Sequence, residues 1–180
     1  KEDAYLLNFG YQGMISILDA LLTRHDVVVY DEECHACIMD GLRLHMGLRI
    51  KYAHNDIENC EKMMKRAVKV AEEQGGGVLL VTEGVYGMTG ALGILDKIVE
   101  LKKRYNFRII IDDAHGFGVM GAHGAGTSEH FGVMDEVDLY FGAFAKSMAA
   151  IGGFIAGPKS IINFLRYNLR SQIYAKSLPM

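Results

Sequence analysis

The sequence predicts an α/β domain: three layers, a mostly parallel sheet with helices on both faces. Two observations carry this. Short Val- and Ile-rich runs such as Val78–Thr82 and Arg108–Asp112 alternate with amphipathic stretches of helical length such as Tyr11–Thr23, and that alternation builds parallel βαβ units. Of the 180 residues, 50% are apolar and 23% charged. A chain of this length buries roughly 70% of its unfolded surface, so no disulfide or metal staple is required.

The elements follow in order. Ala4–Phe9 is a short apolar element ending at a glycine turn. Tyr11–Thr23 carries Met14, Ile15, Ile17, Leu18, Leu21 and Leu22 at helical spacing. Asp26–Tyr30 is a Val-rich strand, Cys34–Met46 a helix and Leu48–Tyr52 a strand. Asp56–Glu73 is a long surface helix, with Asn55-Asp56 at its cap and Gly75-Gly76-Gly77 at its end. The strand Val78–Thr82 follows, then the helix Ile94–Tyr105 and the strand Arg108–Asp112. Glu136–Phe141 and Gly153–Ala156 are short strands, and Pro158–Ser171 is a helix with proline at its start.

Several functions are excluded at this level. The net charge is −3 with both signs interleaved, which leaves no basic stripe for nucleic acid. No apolar run approaches the ~20 residues that span a bilayer. Three cysteines fit free thiols in a reducing compartment, so a cytoplasmic location is expected. Both ends read as cut, and the chain is expected to be a piece of a longer polypeptide.

Three places can carry chemistry. Ile109-Ile110-Ile111-Asp112-Asp113-Ala114-His115 puts two carboxylates and a histidine where a strand leaves the core. A buried Asp there needs a partner, and a cationic ring nitrogen would serve; a solvated strand end is the alternative. Phe141–Gly153 holds one lysine, Lys146, among small and apolar neighbours. Burial would make its amine a nucleophile toward carbonyls, although such a lysine can also reach out to solvent. Asn8–Gly13 opens a helix with a glycine turn, a plausible anion site.

Together these segments resemble the α-oxoamine synthases, fold-type I pyridoxal-phosphate enzymes that condense an amino acid with an acyl-CoA. Asp31…His35-Ala36…Asp40-Gly41 and Glu83-Gly84…Met88-Thr89-Gly90 match the family's motifs in order. Gly13–Ser16 and Arg170–Pro179 are most similar to bacterial serine palmitoyltransferases, with 2-amino-3-ketobutyrate CoA ligase close by. The resemblance implies pyridoxal 5'-phosphate held by Lys146 as a Schiff base, with Lys146 also the base for the α-proton. It implies that Asp112 pairs with the ring nitrogen, His35 stacks on the ring and His115 bonds the phenolic oxygen. Gly10 and Tyr11 would hold the phosphate, and Glu83 belongs to the cofactor site.

The same likeness implies a large catalytic domain spanning residues 1–180, without its N-terminal segment and C-terminal small domain. It also implies a homodimer whose Ala175–Ser177 segment reaches the partner's phosphate. Serine with a long-chain acyl-CoA, in sphingolipid-base synthesis, is the expected substrate pair; glycine with acetyl-CoA is the nearest rival. Two residues depart from the family: Gly87 stands where a serine is frequent, and Ala143 where a phosphate-holding threonine is usual. The substrate-carboxylate arginine falls beyond the chain.

Two motifs are expected to be silent. Cys34-His35-Ala36-Cys37 has only Cys60 as a further thiol, short of a four-ligand zinc site. Gly116-Phe117-Gly118-Val119-Met120-Gly121 matches a dinucleotide fingerprint, which would make an NAD-dependent dehydrogenase. That turn must open a helix, and the glycine-rich continuation predicts a flexible loop over the site instead.

Overall fold

The computed structural model describes residues 1–178. Seven strands form one sheet in the order β1-β7-β6-β5-β4-β2-β3. The strands are β1 (Asp3–Leu7), β2 (Val27–Asp31), β3 (Leu48–Tyr52), β4 (Val78–Glu83), β5 (Arg108–Asp112), β6 (Leu139–Ala143) and β7 (Gly153–Gly157). β7 runs antiparallel to both its neighbours, β1 and β6, while β2 through β6 pair in parallel. The expected mostly parallel sheet is therefore present, with β7 as its reversed strand.

Alternation along the strands divides the core. Val28 and Ile110 face one layer with Met14, Ile17, Ile38 and Leu42, residues of α1 (Gly10–Leu21) and α2 (Ala36–Leu44). Val27, Val29, Ile109 and Ile111 face the other with Cys60, Met64, Leu95 and Ile98, residues of α3 (Ile57–Gln74) and α4 (Leu95–Lys102). Strands covered on both faces read as continuous apolar runs, which is why these segments were legible as buried strands.

Local signals set the ends of α3. Asp56 accepts the Asn59 N–H at 2.9 Å, and Gly75 closes the helix at φ 69°, a left-handed conformation that glycine takes without strain. Elsewhere the boundaries move. β6 begins at Leu139 rather than Glu136 because Asp138 is spent otherwise: its carboxylate accepts from Ile109 N and Lys102 Nζ, both at 2.8 Å. The expected Pro158–Ser171 helix is two, α6 (Lys159–Asn168) and α7 (Arg170–Ile173) after the four-residue α5 (Thr127–His130). Pro158 caps α6 rather than opening it, and the extended, buried Leu169 breaks the pair.

With β7 reversed, the C-terminal ends of β2, β4, β5 and β6 share one edge of the sheet, where ligands of open α/β folds gather.

Candidate active site

Asp31, Glu83 and Asp112 each end a strand on that edge, and all three are buried. Glu83 and Asp112 are register partners across β4 and β5. Asp112 Oδ1 accepts the Ala114 N–H at 3.1 Å; its other oxygen meets only the Cys37 thiol, at 3.8 Å, among the described residues. Burial pushes the Asp112 carboxyl up to about 6. Burial first, and then the Asp112 charge, push Glu83 up to about 8. Two sequestered carboxylates, with no salt-bridge cation among the described residues, form a site that favours a positive charge.

His35 is the N-cap of α2. Its Nδ1 accepts the Cys37 N–H at 3.2 Å, so the neutral ring carries its proton on Nε2. The His35 N–H donates to Glu83 Oε1, which ties the cap to the strand end. The ring lies 6.0 Å from Tyr11, edge to face, and the Tyr11 hydroxyl donates to Asp40. α1 starts at Gly10 with no side chain capping its first turn, as an anion site at a helix start requires.

His115 is half-buried and packs on residue 87: a Cβ there would stand 2.4 Å from His115 Nε2. That contact gives the Gly87 departure a local consequence, since only glycine leaves the ring where it is. Burial, then Lys146 and His35, push the His115 imidazole below its ordinary range. Ala143 lies beside Gly10, with Cβ positions 3.4 Å apart.

Lys146 sits on the loop joining β6 to β7. Phe144 N donates to Gly152 O and Ala150 N to Phe144 O, both at 2.9 Å, closing the loop. Ala149 takes a left-handed φ of 48° within it. The expectation of a buried lysine is corrected, because Lys146 is exposed in the single chain. Its apolar neighbours Met148 and Ile151 are exposed with it, at 48% and 56%; a stretch poor in charge was read as a buried one.

The glycine stretch 116–126 is braced rather than loose. Gly118 N donates to Gly124 O and Gly126 N to Met120 O, both at 2.9 Å, and Glu129 accepts the His123 and Ala125 N–H groups at 3.0 Å. No helix opens at Gly116–Gly121. The loop instead supports the lysine loop, since Ser147 Oγ donates to Phe117 O at 2.7 Å.

All seven residues singled out in the sequence (Gly10, Tyr11, His35, Glu83, Asp112, His115 and Lys146) line one cavity of about 200 Å³. A neighbouring cavity of about 230 Å³ shares His35, Glu83, His115 and Lys146 and opens on the Tyr86–Thr89 turn. Cys37 also lines the first cavity and was missed as part of it. The signal was its place on the helix that His35 caps, obscured by reading the thiols only as a failed zinc motif. Ala175, Lys176 and Ser177 are exposed, with the Lys176 carbonyl accepting from Asn8; Pro179 lies outside the described residues.

A mostly parallel sheet with helices on both faces, and acids gathered at its carboxyl edge beside a lysine loop, defines the class. The chain belongs to the aminotransferase class I and II family, whose model matches residues 1–180. It is similar to the cysteate-C-fatty acyltransferase of Capnocytophaga ochracea, 61% identical over 180 residues, covering 100% of this chain and 43% of that protein. Among solved structures it is similar to the Sphingomonas wittichii serine palmitoyltransferase, with TM-score 0.92 and 33% identity, covering 99% of this chain and 44% of that one. A serine palmitoyltransferase from S. paucimobilis with a bound PLP–myriocin aldimine matches with TM-score 0.91 and 29% identity, covering 98% of this chain and 43% of that one. The resemblance read from the motifs is borne out, and the chain spans under half the length of these relatives.

Proposed function

We propose that this chain is the cofactor-holding part of a pyridoxal-phosphate-dependent acyltransferase. It would join an amino acid to an acyl-CoA, with loss of carbon dioxide and release of CoA. The observation that carries the reading is the pairing of Asp112, buried and with no salt-bridge cation among the described residues, with Lys146 in one cavity. The cofactor fits this donor set: a cationic ring nitrogen answers the carboxylate, an aldehyde answers the amine, and a phosphate answers the uncapped start of α1. The PLP-bound S. paucimobilis relative supports it.

When bound, pyridoxal phosphate supplies an electron sink beside the substrate's α-carbon. Asp112 would keep a proton at the ring nitrogen, which would hold that sink open. His35, held in place by its cap on α2 and by Glu83, would stack on the ring. His115 would hydrogen-bond the phenolic oxygen, and the Gly10 and Tyr11 amides would hold the phosphate. Lys146 would hold the cofactor through Nζ and, once the substrate's amine has displaced that nitrogen, the freed amine would take the α-proton.

Cysteate leads the amino-acid substrates, supported by the 61% identity to a cysteate enzyme; serine, put first by the sequence motifs, and glycine follow. We take the product to be a sphingolipid-type base or its sulfonated counterpart. No helix among the described residues is long and apolar enough to cross a membrane; a homodimer with active sites at the interface fits the exposed Met88 at the second cavity and the exposed Met148 and Ile151 on the Lys146 loop. The test is the full-length protein with cysteate, serine or glycine against palmitoyl-CoA or acetyl-CoA, products read by mass. Cysteate with palmitoyl-CoA should give the largest yield, and no condensation with any pair would overturn the reading.

A further inference from the structure

Cys37 lies in the cavity yet has no part in the chemistry above. It is buried, and its thiol stands 3.0 Å from His35 Nδ1 and 3.8 Å from Asp112 Oδ2. One side chain therefore touches both the group assigned to the ring nitrogen and the group assigned to the ring face. We propose that Cys37 is a positioning residue, whose S–H donates to Asp112 Oδ2 while its backbone N–H holds the His35 ring against α2.

The assignment of the thiol proton follows from counting lone pairs. His35 Nδ1 has one lone pair, and the Cys37 backbone N–H already occupies it at 3.2 Å. That leaves the thiol proton for Asp112, whose Oδ1 is bound by Ala114 N while Oδ2 has no other donor among the described residues. Burial, with the charges of Asp112 and Glu83, pushes the Cys37 thiol well up, so the proton stays on sulfur and the group remains a donor. The other titratable groups around Asp112 are Asp113, which follows it, Glu83 on β4, Cys34 before α2, Tyr140 on β6 and Lys146 on the loop beyond. Of these, Lys146 alone favours the ionised carboxylate by its charge. A weak S–H donor is thus well placed to bias both the ionisation of Asp112 and its aim into the cavity.

The role assigned to Asp112 rests on the pyridoxal-phosphate reading; the contact between thiol and carboxylate does not. The experiment uses full-length wild type, Cys37→Ala and Cys37→Ser, with thermal unfolding to confirm that each is folded. In the cofactor-free proteins, the Asp112 carboxyl is titrated by carbon-13 NMR. Cys37→Ala should move its midpoint upward, and Cys37→Ser, with a shorter donor, should return part of that shift. In the loaded proteins, Cys37→Ala should lower kcat by roughly 3- to 10-fold, the size of one lost hydrogen bond, with little change in KM. Failure of wild type to take up pyridoxal phosphate would sink the functional reading and leave the NMR result to decide the contact. An Asp112 midpoint unmoved in folded Cys37→Ala would overturn the inference.

Discussion

Glu83 and Asp112 face each other across neighbouring parallel strands, two buried carboxylates in register. Neither has a salt-bridge cation among the described residues, and burial pushes them up to about 8 and about 6. An unfolded chain gives up such protons near pH 4, so between about pH 4 and pH 8 these two carboxyls hold more protons in the folded state than in the unfolded one. The pair's contribution to the stability of the cofactor-free protein should therefore fall as pH rises through that window. Urea midpoints at several pH values should fall more steeply in wild type than in Glu83→Gln, and equal slopes would contradict it.

Asp112→Asn should act in opposite directions on stability and activity. Removing a desolvated carboxylate should stabilise the cofactor-free protein near pH 8 by about 1–3 kcal/mol. In the loaded full-length enzyme, losing the charge that holds the ring proton should lower kcat by about 10- to 100-fold. Paired unfolding and kinetic measurements would expose a variant that loses both, which would make Asp112 merely structural.

The carboxylate that follows Asp112 along the chain is a framework group. Asp113 is fully buried, and its Oδ2 accepts from Thr127 N at 2.7 Å and Tyr140 OH at 2.8 Å. A Cβ on Gly84 would stand 2.0 Å from Asp113 Oδ1 and 2.1 Å from Thr127 Oγ1. Gly84→Ala should cost about 1–3 kcal/mol, the usual penalty of overpacking. An unchanged urea midpoint would show that the cage can yield.

Ser147 links the lysine loop to the glycine loop through Phe117 O. Ser147→Ala should leave the unfolding midpoint nearly unchanged, because the hydroxyl is exposed, while weakening pyridoxal-phosphate affinity by roughly 3- to 10-fold. Equilibrium titration with the cofactor measures this, and unaltered affinity would mean that the loop holds its shape without the bond.

Much of this was legible in the sequence because it is written locally. Val- and Ile-rich strands covered on both faces give unbroken apolar runs, so β2, β4 and β5 could be read directly. Asp56 and Gly75 punctuate α3 by their own side chain and φ. The convergence of Gly10, His35, Asp112 and Lys146 on one cavity was legible through motif order alone, since contacts between such distant segments leave no local pattern. The start of β6 was misread because Asp138 bonds to Ile109 on the adjacent strand, which is invisible along the chain. The exposure of Lys146 was misread because small and apolar neighbours describe an interface as well as a core. Cys37 was missed because its partners, the capping histidine and Asp112, meet only in three dimensions.

The central claim is that Lys146 and Asp112 flank one cofactor ring. The most direct test is to load the full-length protein with pyridoxal phosphate, reduce it with borohydride, and map the modified peptide. The account predicts a single pyridoxyl group on Lys146, and no such adduct in Lys146→Ala. A label on another lysine, or a visible cofactor band that persists in Lys146→Ala, would contradict it.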